Sequence, residues 1–122
     1  MIQISEAELE VMKVLWKINN GTSGQIIEIL EQETDWKPKT IQTLITRLVS
    51  KEAIDVDKTN KKSYIYSPKI SEKEYKEYAN ESFLKKLYNG SINLMLSSFI
   101  KERKLTKEDI NDLKRLLEEE ND

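Results

Sequence analysis

The apolar residues of this chain keep a helical period up to Val49, alternate between residues 53 and 67, and return to a helical period from Ile70 onward. That order allows helices, then a short hairpin, then helices again, because residues spaced for one helix face would fall on both faces of a strand. Ser5 and Glu8 have the spacing of a capping box, with Ile4 and Leu9 as its hydrophobic staple. They predict a first helix that runs to about residue 17, buries Leu9, Met12, Leu15 and Trp16, and stops at Asn19-Asn20-Gly21. Thr22 and Gln25 repeat the box and open a shorter second helix with Ile26, Ile27 and Leu30 inward.

A third helix follows around Pro38, whose missing N–H is harmless in a first turn. Its apolar residues Ile41, Leu44, Ile45, Leu48 and Val49 form one stripe. The opposite face carries Lys39, Thr43, Thr46 and Ser50, flanked by Thr40, Gln42 and Arg47, and it holds no acid. Hydroxyls, an amide and cations are what a helix in the DNA major groove presents to phosphates and base edges. An ordinary amphipathic surface helix would show the same stripe, so its setting must decide. That setting is two strand-like runs, 53–57 and 63–67, joined by Lys58-Thr59-Asn60-Lys61-Lys62. A Lys-rich hairpin tip often serves solubility alone, but beside an acid-free helix face it reads as a second contact to DNA. Three helices and a hairpin in this order make a winged helix-turn-helix, with helix three in the groove and the wing on the flanking backbone.

The net charge of −2 suits a DNA-binding chain only because of where the charge lies. Residues 1–35 hold two Lys against seven acids, a net of −5, and residues 36–69 hold eight Lys and Arg against three acids, a net of +5. A basic block in an acidic chain favours localised phosphate contact over indiscriminate binding. With no Cys and no His, thiol or imidazole catalysis, disulfides and the usual transition-metal sets are set aside, and neither enzymatic activity nor a cofactor is expected. No apolar run reaches the length of a membrane span, so no membrane insertion is expected and the cytoplasm is the expected compartment.

Pro68 marks the start of a second region. Ser71 and Glu74 form another capping box, opening a helix predicted to bury Tyr75, Tyr78, Ala79, Phe83 and Leu87 and to stop at Asn89-Gly90. Ile92, Met95, Leu96, Phe99 and Ile100 give the next helix its stripe, and Thr106 with Asp109 opens a last one carrying Ile110, Leu113, Leu116 and Leu117. Three helices in some fifty residues bury such faces poorly alone. A second copy would cover them, with Phe99, Ile100, Leu113, Leu116 and Leu117 in the interface. The fold class is therefore mainly α with a small β-hairpin wing: a winged helix-turn-helix domain over residues 1–70 and a three-helix C-terminal dimerisation region over 71–122.

The chain resembles the penicillinase repressors of the BlaI/MecI type over nearly its whole length. The resemblance is carried by Ser5 to Met12 with Trp16, by Trp36 to Ile41 and Thr43 to Leu48, by Ile54, and by Tyr88-Asn89-Gly90 and Phe99. It implies a dimeric repressor on inverted-repeat double-stranded operators of β-lactam resistance genes, released when a protease linked to a membrane sensor cuts the C-terminal region. It places Lys39, Thr40, Gln42, Thr43 and Arg47 at the DNA, with Lys61 and Lys62 of the wing on phosphates, and the regulatory cut at Ser98-Phe99. Three positions depart from the family: Gln42 replaces an Arg, which exchanges guanine reading for adenine; Lys37 replaces a Ser cap; and Ser98 replaces the Asn of the cut bond. Copper-responsive repressors of the same fold carry a cysteine tail, which does not fit a chain without Cys. The rival class is a winged-helix protein-interaction adaptor without specific DNA binding, and the acid-free helix face argues against it.

Overall fold

The computed structural model describes residues 2–121. Its elements are α1 (Glu6–Ile18), α2 (Ser23–Glu33), α3 (Pro38–Ser50), β1 (Ile54–Asp57), β2 (Ile65–Pro68), α4 (Glu72–Tyr88), α5 (Ile92–Lys101) and α6 (Lys107–Asn121). They fall into two compact units, Met1–Tyr78 and Ala79–Asp122. No helix among the described residues is long and apolar enough to cross a membrane.

In the first unit the predicted caps form. Ser5 Oγ accepts from the Glu8 N–H at 3.1 Å while Glu8 Oε1 accepts from the Ser5 N–H at 2.8 Å. Thr22 and Gln25 do the same for α2. Helices α1, α2 and α3 pack against one another around one buried cluster. Met12 and Leu15 are buried as expected, whereas Leu9 and Trp16 are only half-buried and Val11 and Val14 take the inner places. Because α1 faces both α2 and α3, its inward arc is wider than one stripe. Trp16 sits at the edge of the cluster, where its indole N–H reaches the Ile70 carbonyl at 2.9 Å. In α2, Ile26 and Leu30 are buried and Ile27 half-buried.

The hairpin is antiparallel, with Ile54 opposite Pro68 and Asp57 opposite Ile65. It begins one residue later than the alternation suggests, because Ala53 is occupied elsewhere: its N–H donates to the Leu48 carbonyl and its carbonyl accepts from the Lys69 N–H, both at 2.9 Å. The first of these bonds, with Glu52 N–H to the Val49 carbonyl at 3.0 Å, ends α3 with Glu52 in the left-handed region at φ 64°. β2 also pairs with Gly21, through hydrogen bonds in both directions with Tyr66 at 2.8 and 3.0 Å. A Cβ at Gly21 would lie 2.9 Å from Gln25 Oε1, so the second capping box needs glycine there. The unit extends to Tyr78 because the first turns of α4 are attached to it: Ile70 is buried, and the Tyr75 ring lies 5.7 Å from that of Trp16.

In the second unit the caps again match expectation. Thr106 and Asp109 exchange hydrogen bonds at 3.0 Å, and α4 ends with a bond from the Gly90 N–H to the Leu84 carbonyl; the Ser91 cap of α5 is one that sequence reasoning did not name. The burial expected along α4 is incomplete: Tyr75 and Tyr78, still in the first unit, and Ala79 are half-buried, while Phe83 is 42% and Leu87 64% exposed. As expected of a single chain, α5 buries none of its stripe completely. A single chain has too few elements here to cover these faces.

One buried charge ties the first unit together. Glu8 is 2% exposed, and its Oε1 also accepts from Lys51 Nζ at 2.6 Å. Burial pushes the carboxyl pKa up, but hydrogen bonds from Lys51 and Ser5, with the Lys51 charge, outweigh it and hold the pKa below the ordinary 4.5. The unfolded chain therefore binds the proton more readily, so the pair's contribution is present above pH 4.5 and is lost as pH falls through the lower folded value. Glu8→Gln should melt at a lower temperature than the parent at neutral pH, and thermal scans of the two should converge in acid.

Candidate nucleic-acid interface

Helix α3 presents two distinct faces. Ile41, Leu44, Ile45 and Leu48 are buried, while Lys39, Thr40, Thr43, Thr46, Arg47 and Ser50 are exposed and Gln42 is half-buried. The threonines are oriented by their own helix: Thr43 Oγ1 donates to the Lys39 carbonyl and Thr46 Oγ1 to the Gln42 carbonyl, each at 3.0 Å. Gln42 Nε2 lies 3.4 Å from Thr46 Oγ1, so the amide rests along the helix beside a hydroxyl that can still accept. Lys37 occupies the N-cap without a side-chain hydrogen bond, and Pro38 follows in the first turn. The first N–H groups of α3 are thus not claimed by any cap.

The wing tip is ordered by short local bonds. Asp57 accepts from both the hydroxyl and the N–H of Thr59, and these bonds, the hydroxyl first, hold its carboxyl below the usual range. Asn60 Oδ1 accepts from the Lys62 N–H at 3.0 Å, and the Asn60 carbonyl accepts from the Ser63 N–H at 3.1 Å. This fixes the backbone and leaves the side chains of Lys58, Lys61 and Lys62 exposed, with Lys58 Nζ 5.7 Å above the Tyr64 ring. Lys61 and Lys62 border a shallow cleft together with Thr22, Ser23 and Gly24 at the start of α2. Among the described residues, Lys39, Arg47, Lys58, Lys61 and Lys62 form no ion pair within the chain.

All eight positions expected at DNA, Lys39, Thr40, Gln42, Thr43, Thr46, Arg47, Lys61 and Lys62, therefore belong to the first unit, on α3 and the wing. The other expected residues belong to the second. Ser98 and Phe99 are half-buried in α5, and Ile100, Leu113, Leu116 and Leu117 are 51%, 38%, 57% and 64% exposed. Sequence reasoning gave no role to Tyr64 beneath Lys58, nor to Lys51, whose charge looks like any other in the basic block until Glu8 is placed beside it.

The profile of the penicillinase repressor family matches residues 4–119. The penicillinase repressor of Bacillus licheniformis is 43% identical over 117 residues, 96% of this chain and 91% of that protein. The methicillin resistance regulatory protein MecI of Mammaliicoccus sciuri is 37% identical over 115 residues, 94% of this chain and 93% of its own length. Among solved structures, the Bacillus licheniformis BlaI monomeric form in complex with the blaP half-operator superposes with a TM-score of 0.54 at 43% identity, over 62% of this chain and 92% of that one. With its winged helix, its acid-free α3 face and this match over nearly its whole length, the chain belongs to the penicillinase repressor family, whose members are transcriptional repressors rather than enzymes.

Proposed function

We propose that this chain represses transcription in the cytoplasm as a homodimer on an inverted-repeat operator, each winged domain reading one half-site. The observation that carries this reading is the exposed, acid-free face of α3 beside a wing whose lysines form no ion pair among the described residues. The likeness to a BlaI form solved on a half-operator supports one winged domain per half-site. In this arrangement Lys39, Arg47, Lys61 and Lys62 neutralise phosphates, and Thr40, Gln42, Thr43 and Thr46 face base edges, with adenine the natural partner of Gln42. The apolar faces left open on α5 and α6 supply the reason for pairing, and genes of β-lactam resistance are the expected targets.

Mobility shifts with the intergenic DNA upstream of the chain's own gene test the central claim. If each subunit neutralises three or four phosphates, the log–log salt slope of the dimer should be on the order of −6. Lys61→Ala should weaken all sequences alike, whereas Gln42→Ala or Thr43→Ala should relax discrimination by about 1–3 kcal/mol at single base pairs. A flat slope, or equal affinity for unrelated DNA, would leave the adaptor reading in its place.

Leu116→Asp places a charge in the proposed interface, where burial without a partner costs several kcal/mol. Sedimentation should then show monomers, with the winged domain still folded by circular dichroism. Operator binding should fall with dimerisation, since two half-sites about one helical turn apart must be held together. A mutant that stays dimeric would place the interface elsewhere.

Release follows from cutting Ser98-Phe99 by a protease that a membrane sensor controls. The bond lies inside α5, and a protease needs extended chain, so cleavage requires local opening of the helix. DNA-bound protein should resist cutting and free protein should be cut slowly. Mass spectrometry of the protein from cells challenged with a β-lactam should find fragments ending at Ser98. Intact chain alongside derepressed genes would point to another signal.

A further inference from the structure

The two capping boxes of the winged domain differ in a way that capping does not explain. At the start of α2 the returning side chain is Gln25, which is exposed and accepts from the Thr22 N–H at 2.8 Å. At the start of α1 the same task falls to Glu8, which is buried, and whose second oxygen, Oε2, is buried with no partner among the described residues. Glutamine closes such a box as well as glutamate does. A buried carboxylate with an unsatisfied oxygen is costly, so its charge must serve something other than the cap.

What the charge holds is Lys51, the C-cap of α3, whose N–H donates to the Arg47 carbonyl at 2.9 Å. Lys51 Nζ donates to Glu8 Oε1 at 2.6 Å and to the Gln3 carbonyl at 2.9 Å, which uses two of the three donors of an ammonium group. We propose that Glu8 and Lys51 are a positioning pair for the recognition helix: Glu8 holds the C-terminal end of α3 in register, and Lys51 is committed to Glu8 rather than to a phosphate. This rests on the DNA reading proposed above. The apolar stripe of α3 resists separation from the core, but apolar attraction has no direction, whereas a charge-assisted hydrogen bond does. Over the 13 residues of α3, about 20 Å, a tilt of about 3° at the C-cap displaces the other end by about 1 Å. That exceeds the roughly 0.5 Å within which a preorganised binding group must be held.

The full-length parent, Lys51→Met, Glu8→Gln and the double variant are titrated by fluorescence anisotropy at several salt concentrations. One duplex carries the intergenic sequence upstream of the chain's own gene, and the other is unrelated and of equal length. The ratio of the two affinities should fall about tenfold in each single variant, equivalent to one lost base contact, and no further in the double variant. The salt slope of Lys51→Met should equal the parent's. A slope shallower by about one per subunit with an unchanged ratio would make Lys51 a phosphate ligand and overturn the proposal. Unchanged ratios with only a lower melting temperature would overturn it too, leaving a pair that stabilises without positioning. Glu8→Gln keeps the capping box and Lys51→Met keeps the side-chain stem, so both are expected to fold, and circular dichroism checks this. If the parent itself does not distinguish the duplexes, the DNA reading falls as well. If the parent discriminates and the variants match it, only this inference fails.

Discussion

Ile41, Ile45 and Leu48 are completely buried, while Thr43, Thr46 and Arg47, interleaved with them along the same helix, are exposed. Burying an aliphatic side chain of this size contributes about 1.5–3 kcal/mol, so three of them together rival the net stability of a whole domain. Rotating α3 far enough to hide its polar face would expose that stripe, and this fixes which residues meet solvent. The other helices of the winged domain supply the opposite wall, with Val11, Met12 and Leu15 from α1 and Ile26 and Leu30 from α2. Because one face carries the packing, residues on the other, such as Gln42, can change without disturbing the core.

The capping pattern shows the same division. Ser5 with Glu8, Thr22 with Gln25, Ser71 with Glu74 and Thr106 with Asp109 each close a box. α3 starts instead with Lys37 and Pro38 and no side-chain cap, although a cap is worth about 1 kcal/mol. It can do without one because four of its residues are buried. The element proposed to contact DNA is thus the one that departs from the local rule, as expected where function competes with stability.

What could be read from the sequence was what depends on spacings of four residues or fewer: the caps, the α3 stripe and the hairpin. The residues proposed to face DNA share that property, since each lies on one helix or one turn. What could not be read depends on residues brought together from afar. Lys51 meets Glu8 across 43 positions and Trp16 meets the Ile70 carbonyl across 54. The same is true of the Gly21 pairing with Tyr66, which adds a third edge to a hairpin the alternation pattern shows as two strands. A helix periodicity also says which residues are apolar but not whether a neighbour covers them, and so burial was overestimated for Phe83 and Leu87.

The uncovered apolar face of α5 separates the two units energetically. The winged domain has a contiguous buried cluster, whereas α5 has a Ser91 cap and a 10-residue length but no fully buried side chain. Helices so short are marginal in water unless an apolar face is packed. If a second copy covers Ile92, Phe99 and Ile100, the order of α5 and the formation of the dimer become one equilibrium rather than two, and both depend on protein concentration. Opening of α5 near Ser98 is then governed by how much of the protein is paired. Whatever favours pairing, including two adjacent half-sites that bring two chains together, protects the bond and strengthens repression at once, because by linkage the same contacts serve both.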